Sequence, residues 1–290
     1  MRLLLVFSLF FLSLDAFTLK LSSLEVDKGK TVLLELSKEK NIYYDFVAFQ
    51  KKHFKVFQNP KNTQSCYALV PFSYYTKPSK KYLELHYTKN KKQKVEKIAL
   101  RVLDGDYKKE SIVVSSAKVN PKAKKVKQRI SREYKEAMKI YTTVSDKLYI
   151  KKPFILPIES TITSEFGKAR VYNSLLKGYH SGTDFRAKVG TPIKASNDGR
   201  VVLAKKRFYS GGTVIIDHGE GIYTCYFHLS RFKVKKNQLV KRGQIIALSG
   251  KSGRVTGPHL HFSARINGVQ VDAMQLISLL NKKLLQEQAL

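Results

Sequence analysis

The sequence contains few cysteines, few acidic residues and no hydrophobic run long enough to cross a membrane as a helix. Two Cys in 290 residues exclude a disulfide-stabilised scaffold and a zinc finger built from cysteines. No apolar stretch approaches the roughly 20 residues of a transmembrane helix. The hydrophobic fraction of 43% is enough for a sizeable buried core. A length of 290 residues suggests two domains on a prior of about 150 residues each.

The N-terminus has the pattern of a cleavable export signal. Arg2 gives a short basic region, the run from Leu3 to Leu14 is almost entirely apolar, and Ala16 is a small residue suited to cleavage. We therefore predict that residues 1–16 are a signal peptide and that the exported protein keeps no transmembrane anchor. The alternative is an uncleaved anchor, for which the apolar run is short.

Basic residues greatly outnumber acidic ones. The chain has 54 Lys and Arg against 22 Asp and Glu, which gives a formal net charge of +32. Such a charge favours an anionic partner, and nucleic acid is the first candidate for an intracellular protein. The export signal argues against nucleic acid and favours the anionic polymers and head groups outside the inner membrane. The alternative is that the scattered lysines reflect composition bias and solubility alone.

The residue pattern divides the rest of the chain into three segments. Residues 17–118 contain short β-branched or alternating runs between turn signals, which predicts a β-sandwich-like module with no catalytic group. Residues 119–149 predict a basic linker helix, from about Lys124 to Thr143, packed on a neighbouring domain. Residues 150–290 are again rich in strands and glycine turns and end in a short helix. The apolar face of the linker helix consists of Ile130, Tyr134, Met138 and Tyr141.

Histidines are concentrated in the last segment, where five of the seven lie. His180 and Asp184 are four residues apart, and His259 and His261 are two apart. Even separations in an extended chain put side chains on one face. Two imidazoles and a carboxylate that converge from separate strands would make a three-ligand zinc site with one open position, as in catalytic zinc sites. Each spacing alone is a weak pattern, so the prediction depends on their conjunction.

A set of ordered motifs accompanies these residues over about residues 155–275. They are F-G-x-x-R (Phe166, Gly167, Arg170), H-x-G-x-D-F (His180 to Phe185), G-T-P-I-x-A-x-x-D-G-x-V (Gly190 to Val201), H-x-x-G-x-x-T-x-Y-x-H-L (His218 to Leu229) and Gly253 followed by T-G-P-H-L-H-F (Thr256 to Phe262). In this region the chain resembles the lysostaphin/LytM-type zinc metallopeptidases, a family of peptidoglycan endopeptidases. The β-rich module and basic helix before it resemble the front half of exported Gram-negative members.

The resemblance implies the fold and the site. The expected fold is mainly β, with an antiparallel catalytic domain of the lysostaphin/LytM type, similar to a duplicated hybrid motif. One Zn²⁺ per chain is expected, and His228 and His259 are expected to be catalytic without coordinating the metal. Which of these two takes the proton from water and which stabilises the oxyanion stays open. The implied zinc ligands are His180, Asp184 and His261.

Two residues are expected to contact substrate. Arg170 belongs to the first of the shared motifs. Tyr226 is two residues from His228, so the alternation of a strand predicts that it faces the same cleft.

Two other residues are expected to be structural. His218 opens a glycine-rich turn, and Cys225 alternates with Tyr226 and so is expected to be buried. A disulfide between Cys66 and Cys225 is left as an alternative.

The resemblance also implies the function. The expected protein is a periplasmic D,D-endopeptidase that cuts peptide cross-links of peptidoglycan, with D,D-carboxypeptidase activity as a further expectation. Its partners would be those cross-links and other wall-remodelling proteins, and not nucleic acid. The alternative is a non-catalytic activator or wall-binding module. Family members of that kind have lost zinc ligands, whereas this chain keeps all three.

Overall fold

The computed structural model describes residues 10–14, 17–113, 121–172 and 176–285. These residues are mainly β, which confirms the predicted fold class. The chain divides into two compact units, one of Met1–Gly105 with Ser278–Leu290 and one of Asp106–Ile277. No helix among the described residues is long and apolar enough to cross a membrane. The predicted segment boundaries at residues 118 and 149 stay a prediction.

The first unit is built from ten strands. They are β1 (Phe10–Leu14), β2 (Phe17–Leu21), β3 (Glu25–Asp27), β4 (Thr31–Ser37), β5 (Ile42–Phe49), β6 (Lys52–Lys55), β7 (Phe57–Gln58), β8 (Ser65–Pro71), β9 (Ser79–Lys89) and β10 (Lys92–Leu103). One sheet has the order β1-β2-β4-β8-β7 and the other β3-β10-β9-β5-β6. Strand β1 overlaps the predicted export signal, whose other residues (1–9, 15 and 16) lie outside the described part of the chain.

Both sheets of the first unit contribute to one hydrophobic core. Leu34 and Val70 come from the first sheet, and Val47, Leu83 and Leu100 come from the second. Each of these side chains is almost completely buried, and burial of one such side chain contributes about 1.5–3 kcal/mol to folding. The core therefore explains why these short alternating runs form strands.

The second unit contains the predicted catalytic segment. Its strands are β11 (Lys109–Ile112), β12 (Ile162–Ser164), β13 (Ala169–Tyr172), β14 (Leu176–Tyr179), β15 (Thr183–Arg186), β16 (Pro192–Lys194), β17 (Gly199–Arg207), β18 (Gly211–Asp217), β19 (Ile222–Leu229), β20 (Arg231–Phe232), β21 (Leu239–Val240), β22 (Ile245–Leu248), β23 (His259–Ile266) and β24 (Val269–Val271). The main sheet has the order β12-β15-β23-β19-β18-β17-β21, with β24 beside β23. All of its pairs are antiparallel.

Two smaller sheets and two helices complete the described part of the fold. The small sheets have the orders β11-β13-β14 and β16-β22-β20. Helix α1 spans Lys124–Tyr141 and helix α2 spans Ala273–Lys283. Strand β11 runs parallel to β13, so a segment that precedes α1 in the chain lies beside the start of the catalytic segment.

Helix α1 packs on the main sheet with only part of the predicted apolar face. Ala137 and Tyr141 share a hydrophobic cluster with side chains of β17, β18 and β19. Tyr134, by contrast, is 64% exposed. Glu133 takes the sheet-facing position, because its carboxylate accepts a hydrogen bond of 2.8 Å from the backbone N–H of Phe208. The packed face thus follows residues 133, 137 and 141, which are spaced by four as helix geometry requires.

Neither cysteine forms a disulfide. Cys66 and Cys225 are both free thiols. Cys225 is completely buried, as expected, and its Sγ lies 3.4 Å from the hydroxyl of Tyr141.

Candidate metal centre

Two neighbouring strands and the residue that follows β14 bring three candidate ligand atoms together. Asp184 on β15 and His261 on β23 are directly opposite each other in the antiparallel register. The Oδ1 atom of Asp184 lies 2.8 Å from His261 Nδ1 and 2.9 Å from His180 Nε2. The two ring nitrogens are 3.0 Å apart. His180, Asp184 and His261 therefore form a compact triangle of one oxygen and two nitrogens.

Gly182 makes this approach possible. A Cβ atom at this position would lie 2.5 Å from the carbonyl oxygen of Phe262 and 2.6 Å from His261 Nε2. Such contacts are too short for any larger residue, so the backbone between His180 and Asp184 needs glycine to pass close to β23. This gives a physical reason for the glycine in the H-x-G-x-D pattern.

The three residues fit a zinc ion. All three are buried, and they are the one converging group of this kind among the described residues. Ligand atoms at the usual zinc distances of about 2.0–2.2 Å in a tetrahedron are about 3.3–3.6 Å apart. The observed separations of 2.8, 2.9 and 3.0 Å are somewhat shorter, so the three atoms need to move apart only slightly to hold the ion. Two histidines and a carboxylate leave the fourth position of a tetrahedron for water or substrate, as in catalytic zinc sites.

Backbone and side-chain partners orient the ligands. His180 Nδ1 donates to the carbonyl oxygen of Glu165 at 2.7 Å, which leaves the lone pair of Nε2 directed at the centre. Arg170 donates from Nη2 to Asp184 Oδ2 at 3.2 Å and from Nε to Glu110 Oε2 at 2.9 Å. The arginine thereby holds the carboxylate with Oδ1 turned towards the two imidazoles.

Burial and charge set the protonation of the ligands. Burial by itself raises the pKa of the Asp184 carboxyl, but the close imidazoles of His180 and His261 hold it well below its usual value of 3.8. Burial lowers the pKa of His261 to about 4, against the opposing effect of Asp184. At neutral pH the site therefore offers a carboxylate and a neutral imidazole, the forms that bind metal ions.

Two further imidazoles lie beside the ligands. The ring centroids of His228 and His259 are 4.8 Å apart, and His228 lies 5.9 Å from His261. Nε2 of His259 is 3.6 Å from Asp184 Oδ1. His228 Nδ1 donates to the carbonyl oxygen of Ser252 at 2.8 Å, and His259 Nδ1 donates to that of Gly257 at 2.9 Å. In the neutral rings both Nε2 atoms are therefore proton acceptors.

The backbone of His228 is unusual and explains its position. Its φ angle is +62°, in the left-handed region that non-glycine residues rarely adopt. This turn breaks the alternation of β19 and brings the His228 ring beside His259. Burial, together with the like charges of His261 and His259, lowers the pKa of His228 to about 3, so the ring is neutral at physiological pH.

Tyr226 lies elsewhere than expected. It is fully buried, pairs with Phe262 in the register and packs against that ring at 5.4 Å. Its hydroxyl accepts a hydrogen bond from the backbone N–H of Ser196. Because the chain turns at His228, residues 226 and 228 do not share a face, and Tyr226 belongs to the core. Phe227 instead faces the site, stacked on His261 at 5.4 Å.

Arg170 lies at the site, with Asp184 and Glu110 as partners for its guanidinium group. Glu110 is a residue that the sequence did not suggest. It lies on β11, 60 residues before Arg170, in a segment with no motif. A lone glutamate gives no signal of its own, so only the pairing of β11 with β13 reveals this contact.

His218 is structural, as expected. It is completely buried, and its Nδ1 donates to the carbonyl oxygen of Asp198 at 2.7 Å. Its Nε2 lies 2.8 Å from Thr224 Oγ1. Both ring nitrogens are thus satisfied away from the metal centre.

Comparison with known sequences identifies the domain that holds this centre. Residues 178–273 match the profile of peptidase family M23. The chain carries a peptidase family M23 domain. All three ligands and both additional histidines lie within the matched residues, and the predicted lysostaphin/LytM-type resemblance is confirmed. The zinc cofactor predicted for it is in agreement with the converging ligands.

Curated relatives share the M23 domain. Over 122 residues the chain is 45% identical to the peptidoglycan DD-endopeptidase ShyA of Vibrio cholerae, a match of 41% of this chain and 28% of the relative. Over 97 residues it is 41% identical to the DD-carboxypeptidase/endopeptidase Mpg of Neisseria meningitidis, a match of 33% of this chain and 22% of the relative. The match therefore spans about a quarter of the length of these relatives.

A solved structure is similar over more of the chain. It is the crystal structure of a Pseudomonas aeruginosa protein assigned to peptidase M23, with a TM-score of 0.65 and 28% sequence identity. The similarity covers 86% of this chain and 93% of that one. It therefore includes residues outside the M23 domain.

Proposed function

We propose that this protein is a zinc-dependent peptidoglycan hydrolase with D,D-endopeptidase activity. The observation that carries the proposal is the triangle of His180, Asp184 and His261 with two further imidazoles beside it. A binding module would need no such arrangement. The M23 domain supports a peptidase, and the names of ShyA and Mpg support peptidoglycan as the substrate.

The residues around the ligands supply proton transfer. When bound, zinc acts as a Lewis acid that activates water and polarises the scissile carbonyl. The Nε2 atom of His228 or His259 accepts the proton of the attacking water, and the resulting imidazolium gives a proton to the amine that leaves. The Nε2 atom of the second imidazole accepts a hydrogen bond from the attacking water and so holds it in place. Arg170 keeps the Asp184 carboxylate in position.

The alternative of a non-catalytic activator or wall-binding module is less well supported. The three ligands and both additional histidines are present and close together. D,D-carboxypeptidase activity is a second candidate because Mpg is named for both activities. The two activities use the same site and differ in whether the residue after the scissile bond is cross-linked to a second strand.

Location and organisation belong to the same proposal. A wall hydrolase acts outside the inner membrane, so we place the mature protein in the periplasm, where other wall-remodelling proteins are its expected partners. Residues 1–16 would be the signal peptide, 17–118 the β-rich module, 119–149 the linker and 150–290 the catalytic domain.

The metal-ligand variant His261→Ala tests the proposal. Since a three-ligand site tolerates no loss, we expect purified His261→Ala protein to contain no zinc and to leave cross-linked muropeptides intact. The control is His53→Ala, a substitution of an exposed histidine in the first unit, which should keep both zinc and activity. Cleavage of cross-links by zinc-free His261→Ala protein would contradict the assignment. Identification of the product muropeptides gives the bond that is cut.

A further inference from the structure

A groove lies between the N-terminal half of helix α1 and the turn that joins β17 to β18. Its volume is about 640 Å³, within the range of about 300–1,000 Å³ that is typical of ligand sites. All of the groove lies in the second unit. The side chains that matter for its chemistry are Lys127, Ile130, Tyr134, Arg207, Tyr209 and Ser210.

Both walls of the groove are held firmly. The carboxylate of Glu133 accepts hydrogen bonds from Arg129 Nε and from the backbone N–H of Phe208, each at 2.8 Å. One turn further on, Glu136 pairs with Lys205 at 2.7 Å. These contacts fix α1 to the end of β17, so the groove is a preformed feature.

Backbone hydrogen bonds join one wall of the groove to a residue at the metal centre. The carbonyl oxygen of Ser210, which lines the groove, accepts a hydrogen bond of 2.9 Å from the backbone N–H of His228. The neighbouring Tyr209 accepts a backbone hydrogen bond from Arg254, whose guanidinium lies 4.7 Å above the Tyr209 ring. The wall of the groove at Ser210 and the backbone that carries His228 are therefore directly bonded.

The lining suits an anionic peptide. Lys127 contributes positive charge. The carboxylate of Glu133, the acidic member of the lining, is paired with Arg129 and Arg207 and also accepts a hydrogen bond from the backbone N–H of Phe208. Tyr134, Tyr209 and Ile130 offer apolar surface for the aliphatic part of a peptide. Stem peptides of peptidoglycan combine free carboxylates with short aliphatic side chains. They also extend away from the bond that the proposed activity cuts.

We propose that this groove binds the stem peptide of peptidoglycan on one side of the scissile bond. The proposal rests on the proposed function for the identity of the substrate. It assigns substrate recognition to helix α1, which lies outside the residues that match the M23 family. Lys127 would pair with a peptide carboxylate and Tyr134 would cover the peptide backbone.

Kinetics of the full-length, zinc-loaded protein test the groove. For a cross-linked muropeptide dimer with complete stems, Lys127→Glu and Tyr134→Ala should raise KM about tenfold and leave kcat nearly unchanged, since the lost contacts are remote from the reacting atoms. Tyr134→Phe keeps the ring and should restore KM. Lys135→Glu is the matched control, because Lys135 is exposed on the same helix but does not line the groove. For a short substrate with only the two residues of the scissile bond, all variants should equal the wild type.

Direct binding separates the groove from the activity. The probe is the stem tripeptide, which lacks the scissile bond, titrated into the same proteins by calorimetry. We expect the tripeptide to bind more weakly to Lys127→Glu and equally well to Lys135→Glu. This result is expected even if the wild type cuts no cross-link. Absence of cleavage would contradict only the proposed function. Normal cleavage with equal KM in all variants would overturn the proposal that the groove binds the stem peptide. The proposal would also be overturned if the variants bound the tripeptide as the wild type does and instead lost binding to a peptide-free glycan.

Discussion

The histidines at the metal centre differ in how close their ring nitrogens lie to the Asp184 carboxylate: His180 and His261 are within 2.9 Å of Oδ1, and His259 is 3.6 Å away. Nε2 of His180 and Nδ1 of His261 point at Asp184 and at each other. His228 and His259 use Nδ1 for a backbone carbonyl and leave Nε2 towards the centre. A backbone carbonyl at Nδ1 fixes the tautomer of His180, His228 and His259 alike. The distance of the other ring nitrogen from Asp184 Oδ1 is what separates a candidate ligand from a proton acceptor.

His228 and His259 should therefore behave differently from the candidate metal ligands when they are replaced. His228→Ala and His259→Ala should keep zinc but lower kcat by about 10²-fold or more, the usual size of a proton-transfer contribution. Metal analysis and turnover of a cross-linked muropeptide measure the two quantities separately. If either variant purified without zinc, that histidine would be a ligand.

His218 predicts a pH dependence of stability. Burial lowers its pKa from 6.5 to about 4, so between these values the unfolded chain binds a proton that the folded chain does not. Folding is therefore favoured at neutral pH, and this contribution is lost as the pH falls from about 6.5 towards 4. At pH 5 the free energy of unfolding should be about 2 kcal/mol lower than at neutral pH for this reason. Denaturant unfolding at pH 7.5 and pH 5 should show a smaller difference in His218→Asn than in the wild type, and equal differences would contradict the assignment.

At the scale of elements, only one of the two tyrosines of helix α1 contributes to its docking on the sheet. Tyr141 is buried against Tyr223 and Cys225, whereas Tyr134 is exposed. We expect Tyr141→Ala to lower the free energy of unfolding by about 3 kcal/mol or more. Tyr134→Ala should change it by less than about 0.5 kcal/mol. Chemical denaturation of both variants checks this, and similar losses in both would mean that the helix packs on a different face.

Much of the element order can be read from the sequence, because alternation and turn residues are local signals. The predicted helix from Lys124 to Thr143 corresponds to α1 at Lys124–Tyr141, and the runs at Val201–Ala204 and Ile222–Phe227 fall within β17 and β19. The zinc ligands follow from motifs that are also local. The position of Tyr226 and the contact of Glu110 could not be predicted. The first depends on a left-handed residue within a strand and the second on a pairing between distant segments.

At the scale of the whole molecule, the net charge of +32 is the dominant feature. Carboxylates repeat along the proposed wall substrate, so a basic protein is concentrated on it by long-range attraction. Salt shortens the range of that attraction from about 10 Å at 0.1 M to about 3 Å at 1 M. Charge should therefore govern binding to the polymer more than cleavage of a small soluble fragment.

Sedimentation with insoluble peptidoglycan measures this effect. Binding should weaken several-fold between about 0.05 and 0.5 M salt, since attraction between exposed charges is screened over that range. Peptidoglycan whose carboxylates have been chemically amidated is the control and should bind weakly at both salt concentrations. Salt-independent binding that amidation leaves unchanged would show that contacts other than charge hold the protein on the wall.

The left-handed backbone at His228 creates a trade-off between stability and activity. A side chain in this conformation costs about 1 kcal/mol or more, a cost that glycine does not incur. Glycine at position 228 would thus relieve strain and also remove a buried imidazole from beside two others. If only folding were selected, substitutions at position 228 would accumulate in favour of glycine. Under the proposed role of His228 in turnover, the identity of this residue in related chains should separate working hydrolases from those that have become inactive.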